Sequence, residues 1–270
     1  MNKLLNVFTL VAMSLVSCNN DIINEPTANL LKNSTEISLE EIENEKGIYE
    51  FIYNGYSYSS NYEIINDSMI IEDPNVQKVV KEINTYKNVI TYVHPDKKVE
   101  YIVNFSEKRF LENCEILDIN KDMVSPYAVA PGNPPITPYV NFYEDSKLKG
   151  LRLGFSGLFN TYFVFKDDPL GKKLQGKLSS LDYSWGTSNK GAYVYVILYY
   201  QPDMPSNFPW KQPNSNANTI IFAANETEPY HYIHYLKSYK LYPGASKNWN
   251  DRAHFAYFAS STTLPPGSIM

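Results

Sequence analysis

Cysteine is nearly absent: Cys18 and Cys114 are the only two in 270 residues, so a disulfide framework is excluded. Basic charge is also short, with 24 Lys and Arg against 29 Asp and Glu and a formal net charge of −5. Nucleic acid demands a basic face for its phosphates, and this composition does not supply one. Long apolar runs are missing as well. The charge-free stretch Leu4–Val16 would reach only about 20 Å as a helix, short of the ~30 Å hydrocarbon core of a bilayer. The sequence has no Gly-rich phosphate loop, no His-Glu helix motif and no serine in a nucleophile turn, so a non-enzyme is expected.

Aromatic and apolar residues are plentiful. Hydrophobic residues make up 43% of the chain and 23 residues are tyrosine, a composition that suits pleated, half-buried surfaces and predicts a mainly β protein.

The first residues have the three parts of a secretory signal: Lys3, the apolar run, and small residues before Cys18. Leu15-Val16-Ser17-Cys18 resembles the lipobox of bacterial lipoproteins. The resemblance implies a signal peptide over 1–18, lipid (palmitate among the acyl chains) on Cys18, and a membrane anchor without a membrane crossing. Several acyl chains hold firmly because each buried CH₂ contributes about 0.8 kcal/mol. The uncharged Asn19 that follows implies sorting to the outer membrane, so the expected location is the cell envelope. Residues 19–40 are rich in Asn, Asp, Glu, Ser and Thr and are expected to be a flexible tether, having too little apolar surface to offset the entropy of ordering. With Cys18 acylated, Cys114 is left unpaired, and its apolar surroundings predict a small buried hydrophobe.

Five prolines between Pro126 and Pro138 mark the expected domain boundary, a linker over 123–138, since proline fixes φ and removes a donor. Before it, 41–122 is expected to form a small α+β domain. Strand patterns at Ile48–Tyr53 and Tyr62–Ile65, a turn at Asn66-Asp67-Ser68, a helix from Pro74 to Asn84 with Asp73 as N-cap, and a hairpin from Val89 to Phe105 compose it.

After the linker, Tyr143, Leu148 and Gly150 follow a strand pattern, and Ser179-Ser180 comes about one repeat later. This spacing resembles a βγ-crystallin Greek-key motif. A second, weaker copy starts near Tyr199, with Met204 and Ser206 in the matching places. The resemblance implies a βγ-crystallin-like β-sandwich over 139–262, ahead of a short tail, 263–270. It also implies calcium sites, here degenerate: Ser179 keeps its hydroxyl without the preceding acidic pair, and Asn250-Asp251 stand without the hydroxyl pair. No cofactor is expected, calcium being the single one the resemblance leaves open.

Among remaining candidates, His231 and His234 would point to opposite faces of a strand, which disfavours a shared metal. Trp210 and Trp249 are candidate ligand-stacking residues, with core packing the bland alternative. The expected function is non-catalytic: an envelope lipoprotein whose crystallin-like domain binds a protein or glycan. The alternatives are a peptidase inhibitor acting through the Pro202–Pro213 loop, and a glycan-active enzyme.

Overall fold

A computed structural model describes residues 45–112, 114, 137–157, 159–189, 191–201 and 218–264. Cys18, the tether, residues 123–136 of the linker, Met204, Ser206, Trp210 and the Pro202–Pro213 loop lie outside the described residues.

The first hairpin joins β1 (Lys46–Tyr53) to β2 (Tyr56–Ile65) through Asn54 and Gly55, both at positive φ (50° and 78°), the two-residue turn that matches strand twist. Asn66 and Asp67, also at positive φ, turn β2 into β3 (Ser68–Ile71). Helix α1 (Pro74–Ile83) then starts where Asp73 Oδ1 accepts the backbone N–H groups of Asn75 and Val76. Its Val76, Val80 and Ile83 bury one stripe against Tyr49, Phe51 and Tyr101. β4 (Val89–Val93) and β5 (Val99–Val103) form the second hairpin, and a short helix, α2 (Glu107–Glu112), follows.

Among the described residues, eight further strands come after the prolines: β6 (Tyr139–Asp145), β7 (Lys149–Ser156), β8 (Phe159–Val164), β9 (Ser180–Ser184), β10 (Tyr193–Tyr200), β11 (Asn218–Ala224), β12 (Tyr230–Ile233) and β13 (Phe255–Ser261). A one-turn helix, α3 (Gly171–Leu174), sits between β8 and β9. The protein is mainly β, in two sheets of order β3-β2-β1-β5-β4-β11-β10-β13-β8 and β12-β9-β6-β7.

The sequence reading sets 41–122 apart from 139–262, and in the structure strands of the two stretches meet. β4 pairs in parallel with β11 from Ile90↔Thr219 to Val93↔Phe222, so strands from either side of the prolines share one sheet. The described residues belong to a single compact unit. The physical reason is that each half leaves a strand edge with unpaired N–H and C=O groups, and joining the edges satisfies both.

Period-two alternation sends β10 and β11 side chains to two cores. Val194, Val196, Leu198, Ile220 and Phe222 share one with Val140, Phe142, Leu181 and Tyr183 of the smaller sheet. Tyr195, Ile197, Tyr199 and Ile221 share the other with Tyr92, Ile102, Phe110 and Cys114. Burial on both faces explains the unbroken apolar run of β10.

Candidate functional site

A concavity opens where β1 parts from β5. These two strands pair only at Ile52↔Glu100, so the earlier residues of β1 diverge from the turn at Asp96–Lys98. The resulting cleft has a volume of about 550 Å³, within the range of small-ligand sites. Tyr49, Tyr58, Tyr62, Tyr101 and Tyr239 line it, and Lys240 lies in its wall.

The tyrosines are held in place. The Tyr49 hydroxyl donates to Tyr101 Oη at 2.8 Å and accepts the Gly244 N–H at 3.1 Å, and burial pushes its pKa up to about 12. Tyr58 stacks on Phe51 at 5.2 Å between ring centroids. Tyr62 lies over Gly47, where an added Cβ would come within 2.9 Å of its ring, so the absent side chain makes the room. Its hydroxyl donates to Glu45 Oε1 at 3.2 Å.

Lys240 is the unusual group. It is 7% exposed, its Nζ has no hydrogen-bond partner, and Glu45 Oε1 stands 3.7 Å away. The ammonium instead sits 4.7 Å from the centroid of the Tyr62 ring, a cation–π contact. Burial lowers its pKa, and the nearby Glu45 carboxylate opposes that shift.

Nothing in the sequence reading singles out Lys240 or the tyrosines of β1 and β2. The turn signal Asn54-Gly55 is legible and would have joined those strands. That β5 leaves β1 after one pair is a tertiary fact.

The candidates read from the sequence fall elsewhere. Ser179 and the Asn250-Asp251 pair, 72 residues apart, come together: Ser179 Oγ donates to Asp251 Oδ1 at 3.1 Å. Asn250 Nδ2 donates to Asp251 Oδ2 at 2.6 Å, so both carboxylate oxygens already accept protein donors. Among the described residues no group of three or more His, Cys, Asp or Glu converges as a metal site. Trp249 is fully buried in the core between the sheets and offers no face to a ligand. His231 points into that core, with Nε2 2.9 Å from Glu228 O and its ring stacked on Tyr183, while His234 is exposed. Cys114 is buried; its thiol donates to Phe110 O at 3.4 Å, and burial pushes its pKa up to about 12.

One further polar cluster lies on the outward face of the smaller sheet. Asp182, 5% exposed, accepts Asn141 Nδ2 at 3.1 Å, with the Tyr143 and Tyr139 hydroxyls and Arg152 beside it. Burial raises the carboxyl pKa, and those neighbours oppose the shift. An added Cβ at Gly154 would come within 2.3 Å of Asn141 Oδ1, so this glycine lets the amide lie across the neighbouring strand.

Set against known family models, curated proteins and solved structures, the chain matches none of them.

Proposed function

We propose that this chain is a non-catalytic lipoprotein of the bacterial cell envelope, anchored by lipid on Cys18 at the outer membrane, whose crystallin-like part binds a protein or glycan partner. The partner seats in the tyrosine-lined cleft beside β1, where Ser238, Tyr239 and Lys240 of the crystallin-like part meet the strands of the first half. The observation that carries the binding reading is the cleft itself: five tyrosines, four of them on strands and several locked by hydrogen bonds, give large amphipathic contact area at low conformational cost.

Strand connectivity supports the crystallin-like part of the reading. β9 returns to lie beside β6 after β7 and β8, a Greek-key connection, and β13 returns beside β10 in the same way. The two sets of four are also reciprocal, since β8 joins the sheet of β13 while β12 joins that of β9. The local geometry agrees. Gly150 takes φ +77° where the β6–β7 hairpin folds over, and Ser180 Oγ ties that hairpin by accepting the Leu148 N–H and donating to Asp145 O.

The anchor is tested by mass spectrometry of the native product: acyl chains on Cys18 are expected, and an unmodified or removed Cys18 overturns it. Binding is tested with the full mature chain on a glycan array, alongside photocrosslinking of envelope proteins from a probe placed at Tyr58. Saturable binding that falls at least about tenfold in Tyr58→Ala is expected. Binding indifferent to that change overturns the seat, and progressive release of sugar reducing ends overturns the non-catalytic reading.

A further inference from the structure

A lysine ammonium taken out of water loses several kcal/mol of hydration, and proteins recover this through hydrogen bonds to oxygen. Lys240 does not recover it in that way. Its Nζ is without a hydrogen-bond partner, the Glu45 oxygen at 3.7 Å is beyond hydrogen-bond reach, and the Tyr62 face supplies only a weaker attraction. Up to three N–H donors are therefore carried on a buried ammonium whose residue lines a cleft with volume for a small ligand.

We propose that the cleft takes an acidic saccharide, a sugar whose ring stacks on the tyrosines and whose negative group is met by Lys240; this rests on the cleft being the binding seat. The wall chemistry favours a sugar over an aromatic acid. Besides the tyrosine rings, Ser57, Ser59, Thr91 and Ser238 line the cleft with hydroxyls. A hydroxyl-rich ligand can pair such groups, whereas a flat apolar body would bury them unpaired, which is unfavourable. Charge at the mouth points the same way. Asp96 is paired with Lys98 at 2.7 Å, and among the charged residues that line the cleft Lys97, Lys98 and Lys240 outnumber Glu50 and Asp96 by one.

The probes are a glucuronate-containing oligosaccharide, its carboxyl-reduced neutral form, a sulfated sugar and sodium acetate, titrated calorimetrically into the full mature chain. The uronate oligosaccharide is expected to bind at least about tenfold tighter than its reduced form, and acetate alone to give no measurable binding. Tighter binding of the sulfated sugar would keep the acidic class and name sulfate as its group. Lys240→Met should erase the preference for acid while leaving the melting temperature equal or higher, because it removes a buried charge whose lost hydration a long ion pair and an aromatic face only partly replace. A residue with a merely structural role would instead lower the melt and leave the preference intact. As a direct readout, ¹³C-methylated Lys240, assigned by its loss in Lys240→Met, should titrate at higher pH once the uronate oligosaccharide is bound.

Equal binding of acid and reduced forms, both lost in Tyr58→Ala, overturns the acidic class and leaves the cleft as the binding seat. Competition by acetate at the strength of the oligosaccharide overturns the saccharide. A protein crosslinked from Tyr58 with no saccharide bound overturns this inference while sustaining the binding function.

Discussion

Ser179 Oγ donates to Asp251 Oδ1 at 3.1 Å across 72 residues of chain, fastening the start of β9 to the loop that leads into β13. The Asp251 N–H also donates to Leu178 O at 2.9 Å, so the junction is stitched by side chain and backbone together. Hydrogen bonds to charged groups contribute about 1.5–3 kcal/mol. Ser179→Ala is expected to lower unfolding free energy by about that much in urea denaturation. Because both oxygens of Asp251 already accept protein donors, millimolar calcium is expected to leave the melting temperature unchanged. A calcium-dependent rise lost in Asp251→Asn would show that the ion displaces these donors.

Gly150 and Gly176 share positive φ, +77° and +73°, and differ in their surroundings. A Cβ at Gly150 would come within 2.6 Å of Asp145 Oδ2, whereas one at Gly176 meets nothing within 4 Å. Alanine at either site carries the left-handed backbone cost of about 1–2 kcal/mol. Gly150→Ala should add the cost of displacing Asp145 and therefore melt lower than Gly176→Ala.

Acid sensitivity should come from buried His231 and half-buried His254. Burial lowers the pKa of His231 and of His254, and at His231 the hydrogen bond to Glu228 O opposes the shift. In the window between each lowered folded pKa and the ordinary value of about 6.5, the unfolded chain binds more protons, so stability rises with pH there. That stability is present above about pH 6.5 and is lost as pH falls through the folded value. His231→Gln, measured by denaturation across this window, should flatten the pH slope; an unchanged slope would assign it to other groups.

Cys114 should be inert to thiol reagents in the folded protein. Its thiol is buried and its pKa is pushed up to about 12, so thiolate is scarce at neutral pH. Reaction with an aromatic disulfide reagent is expected only as fast as the protein opens, and to become immediate in denaturant.

Much of the local structure was legible. Asp73-Pro74 followed by valines at helical spacing specifies α1, because capping and amphipathicity are both written within eleven residues. The hairpin of β4 and β5 is written in the same local way. The Ser179 and Asn250-Asp251 pairing could be approached only through a resemblance, since their meeting depends on strands 72 residues apart. Trp249 in its polar setting reads equally as platform or core, and complete burial is decided by the sheet above it. Lys240, in a tyrosine-rich run near the end of the chain, has no local mark of being buried.

The amino-acid order alone settled the β-rich character, the turns, α1 and the poverty of disulfide chemistry, since these follow from side-chain period, φ preference and residue count. The tertiary structure alone decided that β4 docks on β11 to make one sheet of nine, and that β1 parts from β5 to leave a tyrosine-lined cleft around Lys240. Edge pairing and charge burial depend on which distant segments meet, and a local pattern holds no information about that.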